Sequence, residues 1–329
     1  MVTPIGRFVE VSEEGQYLSK ERGFMLVSAG TKLVGKVPLD DIAAVMATAR
    51  GTTVSVSLLA ELAERGTPFV VPGANFAPSA LLWPIVGHHA VSRRMESQIA
   101  NNRALSKALW QQVVAAKIRR QGWAVSQSGG SSAPFEFLAR RVKLGDEGNL
   151  EAQAARRYWP LMFGPQFRRD RDAAGINALL NYGYAVLRAI VARALCATGL
   201  HPGVGIFHRH PSNPMPLADD LMEPFRPIVD LTVTQLVRDD ILEVGPVAKR
   251  RLVATLWQDQ KTAQGTTPLM TAILRTSQSL ADSYQSGIAE LLFPFTDLDG
   301  DDNVQNAEWL PDHVDDSDVR PASDDESPA

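Results

Sequence analysis

Three acidic side chains crowd a short segment of the sequence, Leu217 to Pro227. In a helix, Asp219 and Asp220 lie four and three residues before Glu223, so all three share one face. Like charges at these spacings destabilise a helix by a few tenths of a kcal/mol per pair, unless a cation neutralises them. A divalent ion or the neighbouring Arg226 would supply that cation. The segment is therefore a candidate metal or catalytic site, with plain salt bridging as an equal alternative.

Two other ligand-type residues lie far away in the sequence. Glu151 shares a predicted helix face with alanines and Tyr158, where a partly buried carboxylate needs a cation or a donor. On spacing alone, a surface glutamate or one paired with an arginine is the favoured interpretation. His208 follows an apolar pair, so its ring is expected to rest against the core, and His210 stands two residues later. Taken alone, each histidine is also compatible with an ordinary loop role.

Motifs for other chemistries are absent from the sequence. It contains no P-loop, GxSxG, HExxH or CxxC motif. Its one cysteine, Cys196, lies in an apolar run and is predicted to be a buried, unreactive hydrophobe. Nothing in the sequence therefore indicates a covalent nucleophile or a disulfide framework.

The net charge of −4 conceals two oppositely charged regions. Residues 297–329 contain twelve acids against one base, Arg320, so residues 1–296 hold 25 acids against 32 bases and carry about +7. A basic body suits phosphate backbones, although +7 over that length is weak support alone. We found neither an apolar run of about 20 residues nor a signal sequence, so a cytoplasmic protein away from membranes is expected.

The elements that must position these residues fall into three regions. Residues 1–84 are predicted to form a small β-rich domain with one helix, capped by Ser57 at its start and ended by Gly66. The expected strands are Arg7–Val11, Gln16–Leu18, Phe24–Val27, Lys32–Val34, Ile42–Met46, Val54–Val56 and Phe69–Val71.

After Trp83-Pro84 the periodicity becomes helical, and residues 85–296 are predicted to be all-α. A long helix carries the stripe Leu105, Leu109, Val113 and Ala116, and Gly122 with Ser126–Ser132 is predicted to form a loop after it. Further helices are expected at Asn149–Met162, Ala173–Ala197, Leu217–Val237, Pro246–Trp257 and Pro268–Leu292. Residues 297–329 form an acidic tail predicted to be disordered; its partial likeness to an EF-hand at Asp297–Glu308 lacks the required glycine.

Several segments together resemble one known family. Gly148–Trp159 resembles the first metal motif of the CRISPR-associated spacer-acquisition integrases, and Asp172–Leu187 resembles their central helix. Gly205–His208 and Leu217–Pro227 resemble the second and third motifs, in the same order. Val37–Ile42 and Val114–Gln121 are also similar. The form of the third motif is most like that of members from type II systems.

The resemblance implies an α+β fold, with a dimerising β-domain before a helical catalytic domain. It implies metal ligands at Glu151, His208 and Glu223, holding Mg²⁺ or Mn²⁺, with His210 as the reserve for His208. Many relatives have aspartate where Glu223 stands. Two carboxylates and an imidazole suit these ions. The implied reaction is attack by a DNA 3′-OH on a phosphodiester at a repeat border, which inserts a spacer; with water as the nucleophile, the site cuts DNA.

The implied partners are double-stranded DNA, a second copy of the chain and a small ferredoxin-like companion subunit. Supporting roles are expected for Asp220, Tyr158, Asn177, Asn181 and Arg226. Phosphate contacts are expected from Arg93, Arg94, Arg103, Lys107, Arg156, Arg157, Arg168 and Arg169. Three alternatives stay open: a non-catalytic DNA-binding scaffold, a transposon-related integrase of the same family, and a small-molecule metal hydrolase.

Overall fold

The structure is a computed structural model that describes residues 7–73, 78–82, 89–208, 210–262 and 265–293. The predicted change of periodicity at Trp83-Pro84 lies outside the described residues. So do the domain boundaries at 84 and 296, the acidic tail and its EF-hand-like run.

The N-terminal region consists of short strands and one helix, as predicted. Its elements are β1 (Arg7–Val11), β2 (Gln16–Glu21), β3 (Phe24–Ala29), β4 (Lys32–Pro38), β5 (Ile42–Ala47), β6 (Thr53–Val54), α1 (Val56–Glu64), β7 (Phe69–Pro72) and β8 (Pro78–Leu81). Each predicted strand is present, and β8 is additional. The predicted strand Val54–Val56 is wrong at its end because Val56 already begins α1.

These strands form two sheets. β1, β5 and β7 run parallel with β8 antiparallel at the edge, and β2, β3 and β4 form an antiparallel meander that β6 extends. Leu58 and Leu62 of α1 join the small core of this region. β5 is buried along Ile42–Met46; its Val45 belongs to that small core, whereas Met46 belongs to the large core of the helical region. The two regions are therefore packed together through β5.

The N-cap of α1 is Ser55, so the predicted cap at Ser57 is wrong. The Ser55 hydroxyl accepts a hydrogen bond from the Leu58 N–H at 3.3 Å, whereas Ser57 lies within the first turn. Both serines precede the same apolar face, and spacing alone does not separate them. Gly66 follows the C-cap with φ +63°, a conformation that favours glycine, as predicted.

The second region is mostly helical. Its helices are α2 (Val91–Ile99), α3 (Arg103–Gln127), α4 (Ala133–Arg140), α5 (Leu150–Phe163), α6 (Ile176–Ala197), α7 (Pro216–Met222), α8 (Arg226–Arg238), α9 (Pro246–Ala254) and α10 (Leu269–Ser286). A 3₁₀ turn, Glu223–Phe225, separates α7 from α8 within the predicted single helix. The α+β fold class is confirmed.

Three details of the predicted helical region are wrong. The last predicted helix, Pro268–Leu292, ends at Ser286. A hairpin of β9 (Asp259–Thr262) and β10 (Gly265–Pro268) interrupts the helical region, and the side chain of Arg120 on α3 bonds to Gln260 of this hairpin. Gly122 lies inside α3 rather than in a loop. A Cβ on Gly122 would stand 2.8 Å from the Cβ of Phe135, so the glycine allows α4 to pack closely against α3.

Helices α3 and α6 form the centre of the large core. α3 packs on α4, α5 and α8, and α6 packs on α7, α8, α9 and α10. Among the described residues, α6 alone is long and apolar enough to cross a membrane, contrary to our estimate from the sequence. However, 83% of its most apolar window is buried inside the protein. This is the position of a core helix.

Candidate active site

The ammonium of Lys117 on α3 joins two of the predicted ligands. Its Nζ lies 2.5 Å from Glu151 Oε1 and 2.6 Å from Glu223 Oε2. The three side chains are 14%, 24% and 5% exposed, so the charges meet in a largely dehydrated place. Burial alone would lower the pKa of Lys117, but the two glutamates raise it above its usual value. At neutral pH, one cation is therefore shared by two carboxylates.

Glu151 is held by the start of α5. Asn149 before the helix has φ +47°, and the Asp146 side chain accepts hydrogen bonds from the Leu150 and Glu151 N–H groups at 2.9 and 3.0 Å. Asp146 thus satisfies donors that the first helical turn leaves open. The backbone of Glu151 is fixed while its carboxylate faces α3.

Glu223 lies in the 3₁₀ turn between α7 and α8 and is buried. Its Oε1 lies 3.1 Å from Arg226 Nη2. Burial alone would raise the pKa of Glu223, but Arg226 and Lys117 outweigh it and hold the pKa at about 2. Within the described part of the chain, Oε2 faces the Lys117 charge without a hydrogen bond of good geometry. This oxygen retains a lone pair for another cation.

Asp220 organises the loop that carries His208. Its buried carboxylate accepts hydrogen bonds from the N–H groups of Ile206 (2.6 Å), Phe207 (2.9 Å) and His208 (3.3 Å), and from His208 Nδ1 (2.5 Å). Burial alone would lower the pKa of His208, but Asp220 raises it to about 9, with further contributions from Glu223 and Glu151. Since Nδ1 is bonded to Asp220, Nε2 is the nitrogen available to a ligand.

Aromatic rings support the same loop. Phe207 stacks on Trp110 of α3 with ring centroids 4.5 Å apart, and the ring of His208 meets Trp110 edge-on at 5.4 Å. His208 is thus anchored against the core, as predicted. His210 is exposed and bonds to Ser212 within its own turn, so His208 is the histidine that faces the glutamates.

The donors fit a divalent cation chemically, but they do not enclose one as placed. Among the described residues, no group of three His, Cys, Asp or Glu side chains is arranged to hold a metal ion. Lys117 occupies the position between Glu151 and Glu223 that a cation would take. Two carboxylates, a histidine oriented by Asp220 and the under-bonded Glu223 oxygen are ligands that Mg²⁺ and Mn²⁺ accept. The residues fit the ion once the ammonium moves.

A second buried network lies behind Glu223. Tyr158 donates a hydrogen bond to Asp230 Oδ2 at 2.8 Å, and Tyr184 donates one to Oδ1 of the same carboxylate. Burial raises the pKa of Asp230 to about 6 despite both donors. The Arg226 guanidinium lies 5.0 Å from the ring centre of Tyr184. Tyr158 is therefore a buried partner of Asp230, one step removed from the glutamates.

The remaining supporting residues form a clamp around Arg169. Its guanidinium donates to Asn177 Oδ1 at 2.8 Å and to Asn181 Oδ1 at 2.6 Å, and it lies 5.7 Å from the ring centre of Tyr184. The asparagines thus fix the segment before α6 rather than contacting Glu151, His208 or Glu223 in the described structure.

The residues predicted to contact phosphates lie in different settings. Exposed positions are held by Arg93, Arg103, Arg156 and Arg168. Half-buried positions are held by Arg94, Lys107, Arg157 and Arg169. Arg94 donates to Thr198 O at 2.6 Å, and Lys107 pairs with Glu147 at 2.7 Å. Among the exposed four, Arg168 donates to Pro165 O at 3.0 Å and to Phe167 O at 2.9 Å. The DNA role of all eight stays a prediction.

Sequence reasoning missed Lys117 and Asp230 as parts of the site. Lys117 follows Val113 by four residues and continues the predicted apolar stripe of α3. A lysine at a core-facing position needs buried carboxylates, and this was the available signal. Asp230 likewise stands among apolar residues of α8 and is 2% exposed.

Comparisons with known proteins identify one family. The family described as CRISPR associated protein Cas1 matches residues 9–252. A CRISPR-associated endonuclease Cas1 from Neisseria meningitidis serogroup C is 36% identical over 282 residues, which cover 84% of this chain and 91% of the relative. The chain belongs to the Cas1 family. The resemblance inferred from the sequence motifs is confirmed.

Solved structures show the Cas1 fold over nearly the whole chain. A casposase bound to integration product has a TM-score of 0.70 at 19% identity, covering 95% of this chain and 97% of that one. A Cas6-RT-Cas1–Cas2 complex has a TM-score of 0.71 at 17% identity and covers 91% of this chain but 37% of that longer one. At these identities the likeness establishes the architecture alone.

Proposed function

We propose that this Cas1-family chain is a divalent-metal-dependent DNA endonuclease and strand-transferase that inserts DNA fragments into a CRISPR repeat array. One observation carries the proposal: Glu151 and Glu223, from separate elements, converge on a single cation beside His208. Two carboxylates that share one ammonium are only partly neutralised, which suits a site that exchanges this ammonium for a metal cation during function.

Glu151, Glu223 and Nε2 of His208 would hold Mg²⁺ or Mn²⁺. When bound, the ion would supply Lewis-acid activation of the phosphate and of the attacking oxygen. Asp220 keeps the imidazole oriented through Nδ1, and Arg226 keeps Glu223 ionised and in place. Once displaced from the carboxylates, the Lys117 ammonium is positioned to neutralise a phosphate oxygen.

The proposed substrates are a DNA fragment with a 3′-OH end and a repeat-containing duplex. The relative named above as a casposase is bound to an integration product, and another is part of a complex with Cas2. By analogy we propose a homodimer that works with a small ferredoxin-like companion subunit in the cytoplasm. The exposed arginines would contact the phosphate backbone, so binding should weaken steeply with salt.

A DNA-binding scaffold without catalysis is the second candidate. It is favoured by the charge balance itself, because Lys117 and Arg226 already satisfy Glu151 and Glu223 without a metal. In that case both glutamates would be structural.

Replacing Glu151 with alanine separates the two candidates. We expect Glu151→Ala to abolish Mn²⁺-dependent strand transfer and cleavage. DNA affinity should stay within about twofold, since a carboxylate makes no attractive contact with a phosphate. Glu243→Ala is the matched control, because Glu243 is an exposed glutamate between α8 and α9. Strand transfer by Glu151→Ala at the wild-type rate would leave the scaffold as the function.

A further inference from the structure

A basic groove lies between α3 and α4, on the side where the described chain ends. Two adjoining cavities of about 640 and 480 Å³ share Gln111, Arg140 and Val142. Their lining contains the bases Lys107, Arg119, Arg140, Arg141 and Lys143 and the acid Glu147. Glu136 pairs with Arg119 and Arg140, at 3.2 and 2.8 Å, which leaves the α3–α4 groove with an excess of positive charge.

The segment after α10 runs into this groove. The Gln112 side chain on α3 donates to Ala289 O at 2.7 Å and accepts from Leu291 N–H at 2.8 Å. Leu291 and Phe293 then form part of the wall of the second cavity, beside Arg119 and Arg140. The two hydrogen bonds of Gln112 therefore hold the segment after α10 at the edge of the groove.

The sequence that continues from Phe293 is strongly acidic. Asp297 comes four residues later, which is at most about 14 Å along an extended chain. Asp299, Asp301 and Asp302 follow at once, and residues 297–329 contain twelve acids and one base. The acidic residues 297–329 are therefore joined by a short stretch of chain to the basic α3–α4 groove.

We propose that residues 297–329 bind the α3–α4 groove of their own chain and compete there with polyanions. A segment tethered this closely has an effective concentration on the order of 1 mM. An intrinsic affinity of about 0.1 mM would then keep the groove occupied about ten to one and weaken DNA binding about tenfold. The competition with DNA rests on the proposed function, whereas the contact itself does not.

The contact is tested by zero-length carbodiimide cross-linking of the full chain, with peptides mapped by mass spectrometry. We expect Lys107 and Lys143 to be cross-linked to carboxylates of residues 297–329, and the exposed Lys32 on β4 to serve as the unlinked control. An equal mixture of isotopically light and heavy protein distinguishes contacts within one chain from contacts between copies. Cross-links no more frequent at Lys107 and Lys143 than at Lys32, or cross-links only between copies, would overturn the proposal.

The competition is tested by measuring the affinity of the full chain for a duplex of arbitrary sequence at 100 mM salt. The variant Asp297→Asn, Asp299→Asn, Asp301→Asn and Asp302→Asn should bind several-fold tighter than wild type. The control removes four exposed acids elsewhere: Glu64→Gln, Glu96→Gln, Asp240→Asn and Glu243→Gln. An equal gain in the two variants would refute the competition, because net charge alone would explain it. If neither the wild type nor either variant bound DNA, the proposed function would fail while the cross-links still decided the contact.

Discussion

Replacing Lys117 with methionine shortens the unbranched side chain by only one atom and removes the cation that Glu151 and Glu223 share. With Nζ at 2.5 and 2.6 Å from the two carboxylates, the variant would leave like charges facing each other in a place that is mostly closed to water. Arg226 still neutralises Glu223. Among the contacts described, no other cation would pair with Glu151 in place of Lys117.

Removing one partner from a buried ion pair costs about 3–5 kcal/mol. Glu151 is 24% exposed and can recover some hydration, so the lower end applies, about 3 kcal/mol of unfolding free energy. A divalent ion should replace the lost charge. At one hundred times its dissociation constant, it would return about 2.7 kcal/mol. The wild type should gain less from the ion because its ammonium must first be displaced.

Urea unfolding followed by tryptophan fluorescence, in EDTA and in Mn²⁺, measures both effects. Lys107→Met is the control, since the Lys107–Glu147 pair is at the surface and its loss should cost less than about 1 kcal/mol, with the same response to Mn²⁺ as the wild type. If Lys117→Met were as stable as the wild type in EDTA, the account of a shared buried cation would be refuted. Equal stabilisation of wild type and variant by Mn²⁺ would instead refute the overlap of the ammonium with the metal position.

Two further predictions concern Asp230 and the loop that carries His208. The folded pKa of Asp230 is about 6, above the unfolded value of about 3.9, so its contribution to stability is present at low pH and is lost as pH rises through 6. Relative to wild type, Asp230→Asn should therefore gain about 2 kcal/mol in unfolding free energy between pH 4 and pH 7, and a constant difference across that range would contradict the burial argument. A Cβ on Gly205 would stand 2.5 Å from His208 O and 2.9 Å from Pro216 Cβ, so Gly205→Ala should displace the His208 loop, cost about 1–3 kcal/mol and slow strand transfer at least tenfold. Gly148→Ala, whose Cβ would meet only Leu150 at 3.7 Å, should behave like wild type in the same unfolding and strand-transfer assays; matching losses in both variants would show that the loop is not the cause.

Local patterns predicted most of the elements because each pattern is contained within one helix or strand. The stripe from Leu105 to Ala116 is carried by α3, and the β-rich start is carried by two sheets. The hairpin at Asp259–Pro268 was missed because its residues are almost all polar, so the sequence shows no alternation of apolar and polar residues there. The cap at Ser57 was misplaced because two serines precede the same helix face.

The site was only partly predictable, because it depends on contacts between distant segments. Crowding of Asp219, Asp220 and Glu223 predicted a site in one segment, and the structure assigns these acids separate partners. Asp219 pairs with Arg188 at 2.7 Å, Asp220 holds the His208 loop, and Glu223 faces Lys117. No local rule separates three neighbouring acids in this way, since the partners come from other elements.

The charges of the described residues around Glu151 and Glu223 are balanced without a metal, and this balance affects how a divalent ion binds. Among the residues that the structure describes here, three carboxylates face three cations: Glu151, Glu223 and Asp220 against Lys117, Arg226 and protonated His208. A divalent ion adds two positive charges to this balanced set, which is unfavourable in a poorly hydrated place. Loss of the His208 proton removes one of those charges, and a phosphate arriving with DNA removes another. On the proposed function, metal and DNA should therefore bind cooperatively, each raising the affinity for the other.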